Sequence, residues 1–166
     1  LVFPTENTFP AQVRSDVKQY LKNIDEGILI GRAQLDYHIT PKINHHLMFT
    51  GGILEDMFSG VGAEYLYFKP DTNYSFGIEL FKVQKRDYHW GFDHLDYTNT
   101  TLTGNFYYRN YGRIPFDMKL SAGEYLAGDI GSTIELSRTF DTGVRFGIFA
   151  TFTDVSSEDF GEGSFD

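Results

Sequence analysis

The side chains that could carry chemistry are few and poorly grouped. His45 and His46 are neighbours, and on an extended chain neighbours point to opposite faces, so they cannot share a metal from one side. His89 and His94, with Asp87, Asp93 and Asp96, fall in one loop-like stretch, but without the paired ligand spacing of a zinc or calcium site. His38 lies in another element. The acidic neighbours Glu55/Asp56 and Glu158/Asp159 supply two carboxylates each, the ingredients of glycoside hydrolysis. That reaction needs its carboxylates about 5–10 Å apart across a sugar, and adjacent loop residues give no reason to expect this. No nucleophile-elbow, zinc-protease or phosphate-loop motif occurs. With no cysteine, thiolate chemistry, disulfides and Cys-type zinc sites are excluded for these residues. Gly60, Gly62, Gly123, Gly128, Gly131 and Gly147 read as bends, tight turns or close backbone approaches, because no helix follows them to complete a phosphate cradle. No catalytic residue, metal site or cofactor is expected.

A second group is marked by position rather than by type. Glu64, Glu79, Arg109, Lys119, Glu135 and Arg145 each lie in a stretch where alternate residues are apolar. Val144, Phe146, Ile148, Ala150 and Phe152 alternate with Arg145, Gly147, Phe149, Thr151 and Thr153. The same period of two runs through Ile130 to Ser137, Phe116 to Gly123 and Tyr74 to Leu80. It marks strands with one apolar and one polar face. Eight such segments are expected, at roughly 28–39, 43–54, 58–69, 74–86, 97–110, 114–126, 129–140 and 143–154. Most run about 11–13 residues, against a usual strand length of about 5–6, and a tilted bilayer-crossing strand needs about 9–11.

Compact turn sequences sit at every second connection: Thr40-Pro41-Lys42, Pro70 to Asn73, Tyr111-Gly112-Arg113 and Asp141-Thr142-Gly143. The long 87–94 connection falls on the opposite parity. One rim of short turns and one of longer loops is the plan of an outer-membrane barrel. Aromatics gather beside the short turns: Tyr65, Tyr67 and Phe68; Phe106, Tyr107, Tyr108 and Tyr111; Phe116; Phe140. They read as a girdle at one membrane interface. A half-exposed soluble sheet would show the same alternation, with cross-strand aromatic pairs in place of a girdle.

Before the strands, Val13, Val17, Tyr20, Leu21 and Ile24 recur at helical spacing after Pro10. The spacing predicts a short amphipathic helix over residues 10–25, packed on the main body. The chain thus divides into an N-terminal loop and helix, 1–26, and a strand region, 27–166, read as an excerpt cut at both ends. The fold class is all-β: an antiparallel up-and-down meander of about eight long strands forming all or part of an outer-membrane barrel.

Composition agrees. The 166 residues hold 16 Phe, 11 Tyr and 17 Gly, a content suited to strands and tight turns. The net charge of −9 argues against nucleic acid, which needs a cationic face. No run of 18 apolar residues offers a transmembrane helix, and the mean hydropathy is −0.31. Both exclude only helical membrane proteins, because a barrel turns half of each strand towards a polar lumen.

Six stretches also carry a resemblance. Glu55-Asp56-Met57-Phe58-Ser59-Gly60-Val61-Gly62-Ala63-Glu64-Tyr65-Leu66-Tyr67 resembles the E-x-M-F-[AS]-G-V-G-x-E-x-L-Y run of the YjbH family. Residues 83–88, from Val83 to Tyr88, look like its V-x-Q-R-D-[FY] segment, and residues 122–133 resemble its G-x-Y-L-A-x-D-x-G-[AS]-T. Residues 140–145 and 153–166 are similar to its F-x-N-G-V-x and its T-[ND]-V followed by F-G-E-G-S-F-D. Residues 13–21 resemble its V-R-[ST]-D-[IV]-x-x-Y-L. The resemblance implies a region towards the C-terminal end of a longer exopolysaccharide-biosynthesis protein, also described as a bacterial lipoprotein. Family chains are taken to form outer-membrane barrels that serve exopolysaccharide or capsule production, and no established catalytic residue can be carried over.

The expected function is therefore non-enzymatic: a passage or docking surface for polysaccharide export in a Gram-negative outer membrane. Lipid and polysaccharide are the expected partners, along with other export proteins. Glu64, Glu79, Arg109, Lys119, Glu135 and Arg145 are the candidates for lining the lumen. The alternatives are a soluble barrel or sandwich that binds a small ligand or glycan, and a glycan-processing enzyme.

Overall fold

The computed structural model describes residues 16–22, 30–89 and 91–155. One helix, α1 (Val17–Lys22), precedes eight strands: β1 (Ala33–Lys42), β2 (His45–Ile53), β3 (Phe58–Phe68), β4 (Tyr74–Arg86), β5 (His94–Asn110), β6 (Phe116–Glu124), β7 (Ile130–Thr139) and β8 (Arg145–Thr153). They form one sheet in the order β1 to β8, each strand antiparallel to the next. The sheet is not closed, because no ladder joins β1 to β8 among the described residues. The expected all-β meander is present, and the open sheet is consistent with part of a barrel.

Boundaries shift where local chemistry differs from the pattern. Thr40, Pro41 and Lys42 belong to β1, and the chain reverses at Ile43-Asn44. Asn44 takes the left-handed backbone conformation (φ 67°), which asparagine tolerates better than most residues with a side chain. Pro41 falls where the β1–β2 register slips between Ile39 and Lys42, an irregular edge position that tolerates a missing N–H. β5 starts at His94, earlier than expected, and reaches 17 residues, because Arg86 pairs with His94 beyond an irregularity in which β5 carries the extra residues. Of the helix expected over 10–25, Val17–Lys22 is helical, while residues 10–15 and 23–25 lie outside the described residues.

Directly opposed residues share a face, so the ladders define two faces. One carries Leu35, Tyr37, Phe49, Val61, Ile78, Leu80, Leu102, Leu120, Ile134, Ile148 and Phe152, all exposed. The other carries Asp36, Thr50, Glu64, Glu79, Asn105, Ser121, Thr133 and Glu135. The sheet is therefore inverted relative to a soluble one: its apolar side is bare.

The buried core is small and sits at the rim formed by connections 54–57, 87–93 and 125–129. It comprises Tyr20, Met57, Phe58, Val83 and Ala127, flanked by Leu54, Phe81, Tyr88, Tyr97 and Leu126. Phe58 and Val83 have the parity of Glu64 and Glu79, so α1 packs against the polar side of the sheet at that end. Its anchor is electrostatic. Lys85 Nζ donates to both carboxylate oxygens of Asp16 at 2.7 Å, with each side chain only 2% exposed. Tyr88 donates its hydroxyl to Asp16 as well, at 2.7 Å. Tyr20 donates to the carbonyl of Arg86 and meets the Tyr88 ring edge-on at 5.0 Å. Burial first, and the Asp16 carboxylate second, push the Tyr20 hydroxyl well above its usual range.

Arg86 ties the rim together. Its guanidinium donates to the carbonyls of Ile30, Asp56 and Gly91, which belong to three separate connections. Tyr97 and Asn99 donate to the carbonyls of Leu126 and Tyr125, fixing the 125–129 connection to β5. In that connection Asp129 is buried, and desolvation raises its carboxyl above the usual carboxylate range.

Two outcomes test these contacts. Lys85→Met in the full-length protein should lower stability by about 3–5 kcal/mol, since it strands a buried carboxylate, and Asp16→Leu combined with Lys85→Met should restore most of the loss. Urea unfolding of the detergent-refolded protein measures both, and equal damage from the single and double variants would refute the pairing. Gly123 (φ 156°) has no room for a Cβ, which would fall on the Leu102 carbonyl oxygen, whereas a Cβ at Gly104 meets only the Ala122 oxygen at 3.8 Å. In the same assay Gly123→Ala should cost about 1–3 kcal/mol, and Gly104→Ala should be neutral or slightly stabilising.

Candidate functional site

The polar face is the candidate site, and all six charged residues picked from the sequence lie on it. The strands put them there by parity alone. Glu64 of β3 stands opposite Glu79 of β4, and Lys119 of β6 opposite Glu135 of β7. Arg109 stands opposite Asp117, two residues from the Tyr107–Lys119 pair, and Arg145 opposite Thr139 at the end of β7.

The six fall into two groups. Near the middle of the sheet, Glu64 and Glu79 face each other directly. Like charges so placed destabilise a ladder by a few tenths of a kcal/mol to about 1 kcal/mol. The Asn105 amide offsets part of this by donating to Glu79 at 2.8 Å, and its oxygen accepts from Ser121 at 2.7 Å. Asp36 accepts hydrogen bonds from Thr50 and from Gln34 on the same face. The half of the polar face made by β1–β4 is thus acidic.

The second group lies on β5–β8, near the rim of turns 43–44, 69–73, 111–115 and 140–144. Arg109 pairs with Asp117 at 2.5 Å. Arg145 donates to Ser137 at 2.8 Å and touches Glu135 at 3.4 Å. The Lys119 ammonium sits over the Tyr107 ring, 5.5 Å from its centroid. These residues line one cleft of about 520 Å³ together with Phe68 and Tyr111. Glu64 and Glu79 do not line it.

The aromatics divide by parity. Tyr65, Tyr67, Phe106, Tyr108 and Phe116 point to the apolar face beside the turns, joined there by Tyr74 and Phe76. Their rings touch: Phe76 with Phe106 at 5.2 Å and Tyr108 with Phe116 at 6.1 Å. His45 joins Tyr65 through a 2.7 Å hydrogen bond and meets the Tyr67 ring. Phe68, Tyr107 and Tyr111 depart from the expected girdle: Phe68 and Tyr107 face the polar side, because each adjoins a residue that faces out, and Tyr111 lines the polar cleft.

The loop histidines do not form a centre. His89 pairs with Asp87 at 2.8 Å, a contact that holds the Asp87 carboxyl below its usual range, while His94 bonds Ser59. No group of three or more His, Asp or Glu residues that could hold a metal occurs among the described residues. Of the two acidic neighbour pairs, Glu158/Asp159 lies outside the described residues.

Residue-type reasoning missed the anchor of α1. Asp16 and Lys85 are separated by 69 positions, and neither stands out by composition. A signal was nevertheless present: two of the stretches that resemble family runs, 13–21 and 83–88, meet in space through Asp16, Tyr20, Lys85, Arg86 and Tyr88.

Comparison with known proteins agrees with that resemblance. The family described as "Exopolysaccharide biosynthesis protein YbjH" matches residues 3–166. A relative from Escherichia coli (strain K12), named "Uncharacterized lipoprotein YjbH", is 35% identical over 165 residues. The alignment covers 98% of this chain and 23% of that relative, so the chain spans about a quarter of its length. No solved structure matches the chain. An inverted eight-stranded meander carrying these runs over nearly its whole length belongs to the YjbH exopolysaccharide-biosynthesis family.

Proposed function

We propose that this chain forms part of an outer-membrane β-barrel in a Gram-negative envelope, serving exopolysaccharide export as a passage or docking surface and making or breaking no bonds itself. The observation that carries this reading is the bare apolar face. Large side chains from every strand stand exposed on one side of the sheet, including Leu35, Phe49, Val61, Ile78, Leu102, Leu120, Ile134 and Phe152. Water penalises such a surface by about 25 cal/mol per Å², and soluble monomers rarely expose apolar patches beyond a few hundred Å². Acyl chains remove the penalty. The strands also fit a bilayer, with lengths of 9 to 17 residues against a requirement of about 9–11. The aromatic cluster beside the turns suits an interface, where amphipathic rings sit at headgroup level.

The polar face fits a hydroxyl-rich polymer. Carboxylates, guanidinium groups, amides and tyrosines offer donors, acceptors and ring faces to sugars. Glu64 and Glu79 project side by side from neighbouring strands rather than across a sugar-wide gap. That arrangement suits contact with a passing chain better than general acid–base work. The relative's lipoprotein name is compatible with an envelope location.

Two measurements test the reading. The full-length protein should fractionate with outer membranes and shift its gel migration on heating; recovery as a detergent-free soluble monomer would sink the proposal. The 166 residues contain no cysteine, so single replacements report cleanly on this region. Ile134→Cys and Phe146→Cys should react with a lipid-phase thiol reagent, and Lys119→Cys and Glu135→Cys with a membrane-impermeant one. The reverse pattern would show the faces to be misassigned.

A further inference from the structure

The cleft near the turn rim has a charge balance unlike that of the rest of the chain. Overall the chain carries −9. The cleft gathers three cations, Arg109, Lys119 and Arg145, against two carboxylates, Asp117 and Glu135. Both carboxylates are engaged, Asp117 by Arg109 at 2.5 Å and Glu135 by Arg145 at 3.4 Å. Lys119 stands opposite Glu135 in the ladder, yet its ammonium lies over the Tyr107 ring. Among the described residues no carboxylate lies within ion-pair distance of it.

We infer that this cleft is a subsite for the acidic sugar of an anionic exopolysaccharide, with Lys119 and Arg145 taking the sugar carboxylate. The inference rests on the export reading above and adds the substrate class. Lys119 brings a compact charge with donors to spare. Arg145 is 59% exposed on its side chain and holds Glu135 only loosely, so its planar fork can donate to a second carboxylate. Tyr111 lines the same cleft with 66% of its surface exposed and offers a ring face to a pyranose. The acidic half of the face, with Asp36, Glu64 and Glu79, repels the same polymer and confines an anionic chain to the β5–β8 side.

Binding of oligogalacturonate and of a dextran oligomer of matching length to the full-length protein in detergent tests this, read by titration calorimetry. The acidic oligomer should bind in preference, and more weakly as salt is added. Lys119→Gln should weaken its binding about tenfold, Lys119→Arg should retain it, and neither should alter dextran binding. Equal binding of the two oligomers, no binding of either, or an unchanged affinity in Lys119→Gln would overturn the subsite. Heat-dependent migration, recorded on the same preparation, separates the two failures. A barrel without acidic preference overturns the subsite alone, and a protein that is no barrel overturns the export reading.

Discussion

Register is the constraint on which everything else in this molecule depends. Side chains alternate with a period of two, so a slip of one residue in any ladder would exchange the faces of that strand. Seven consecutive ladders hold the alternation in phase. The result is one face rich in Leu, Ile, Val and Phe and one rich in Asp, Glu, Asn and Thr. Where the register does slip, at Ile39–Lys42 and Gln84–Arg86, the irregularity lies at a strand end and not in the middle of the sheet. Backbone hydrogen bonds run strand to strand within the sheet, while the outer edges of β1 and β8 have no partner strand among the described residues.

The two ends of the sheet are built from different physics. At the turn rim, stability comes from local hairpins, and the aromatic rings pack on one another at the edge of the apolar face. At the loop rim it comes from long-range burial. A lysine and an aspartate with almost no exposure hold a short helix on the polar side of β4. Such a pair contributes little net stability compared with an apolar substitute, but it is unforgiving of one missing partner. It therefore specifies where α1 sits more than it strengthens the fold. Arg86 works similarly, binding three carbonyls from three connections.

Between these ends the polar face is graded rather than uniform. In the middle of the sheet the β1–β4 half carries Asp36, Glu64 and Glu79, and near the turn rim the β5–β8 half gathers Arg109, Lys119 and Arg145 with their partial partners. Hydrogen-bonding groups run along this face, and the three cations gather near one rim. Family membership places the chain among exopolysaccharide-biosynthesis proteins.

Much of this was legible in the residues themselves. Period-two alternation located eight strands, and parity assigned Glu64, Glu79, Arg109, Lys119, Glu135 and Arg145 to one face without reference to space, because in a strand the face follows from residue number. The same rule, applied strictly, puts Phe106 and Tyr108 on the apolar face and Tyr107, between them, on the polar one. It removes Phe68 from the girdle in the same way, since Tyr67 faces the apolar side. Residue order does not contain the register between strands, and register decided that Glu64 meets Glu79 and that Lys119 turns to Tyr107 while Arg145 takes Glu135. Nor does it contain contacts across 69 positions, which is why the Asp16–Lys85 pair emerged only from the fold. Local periodicity is written in neighbouring residues; burial and pairing are set by distant strands that the chain must first bring together.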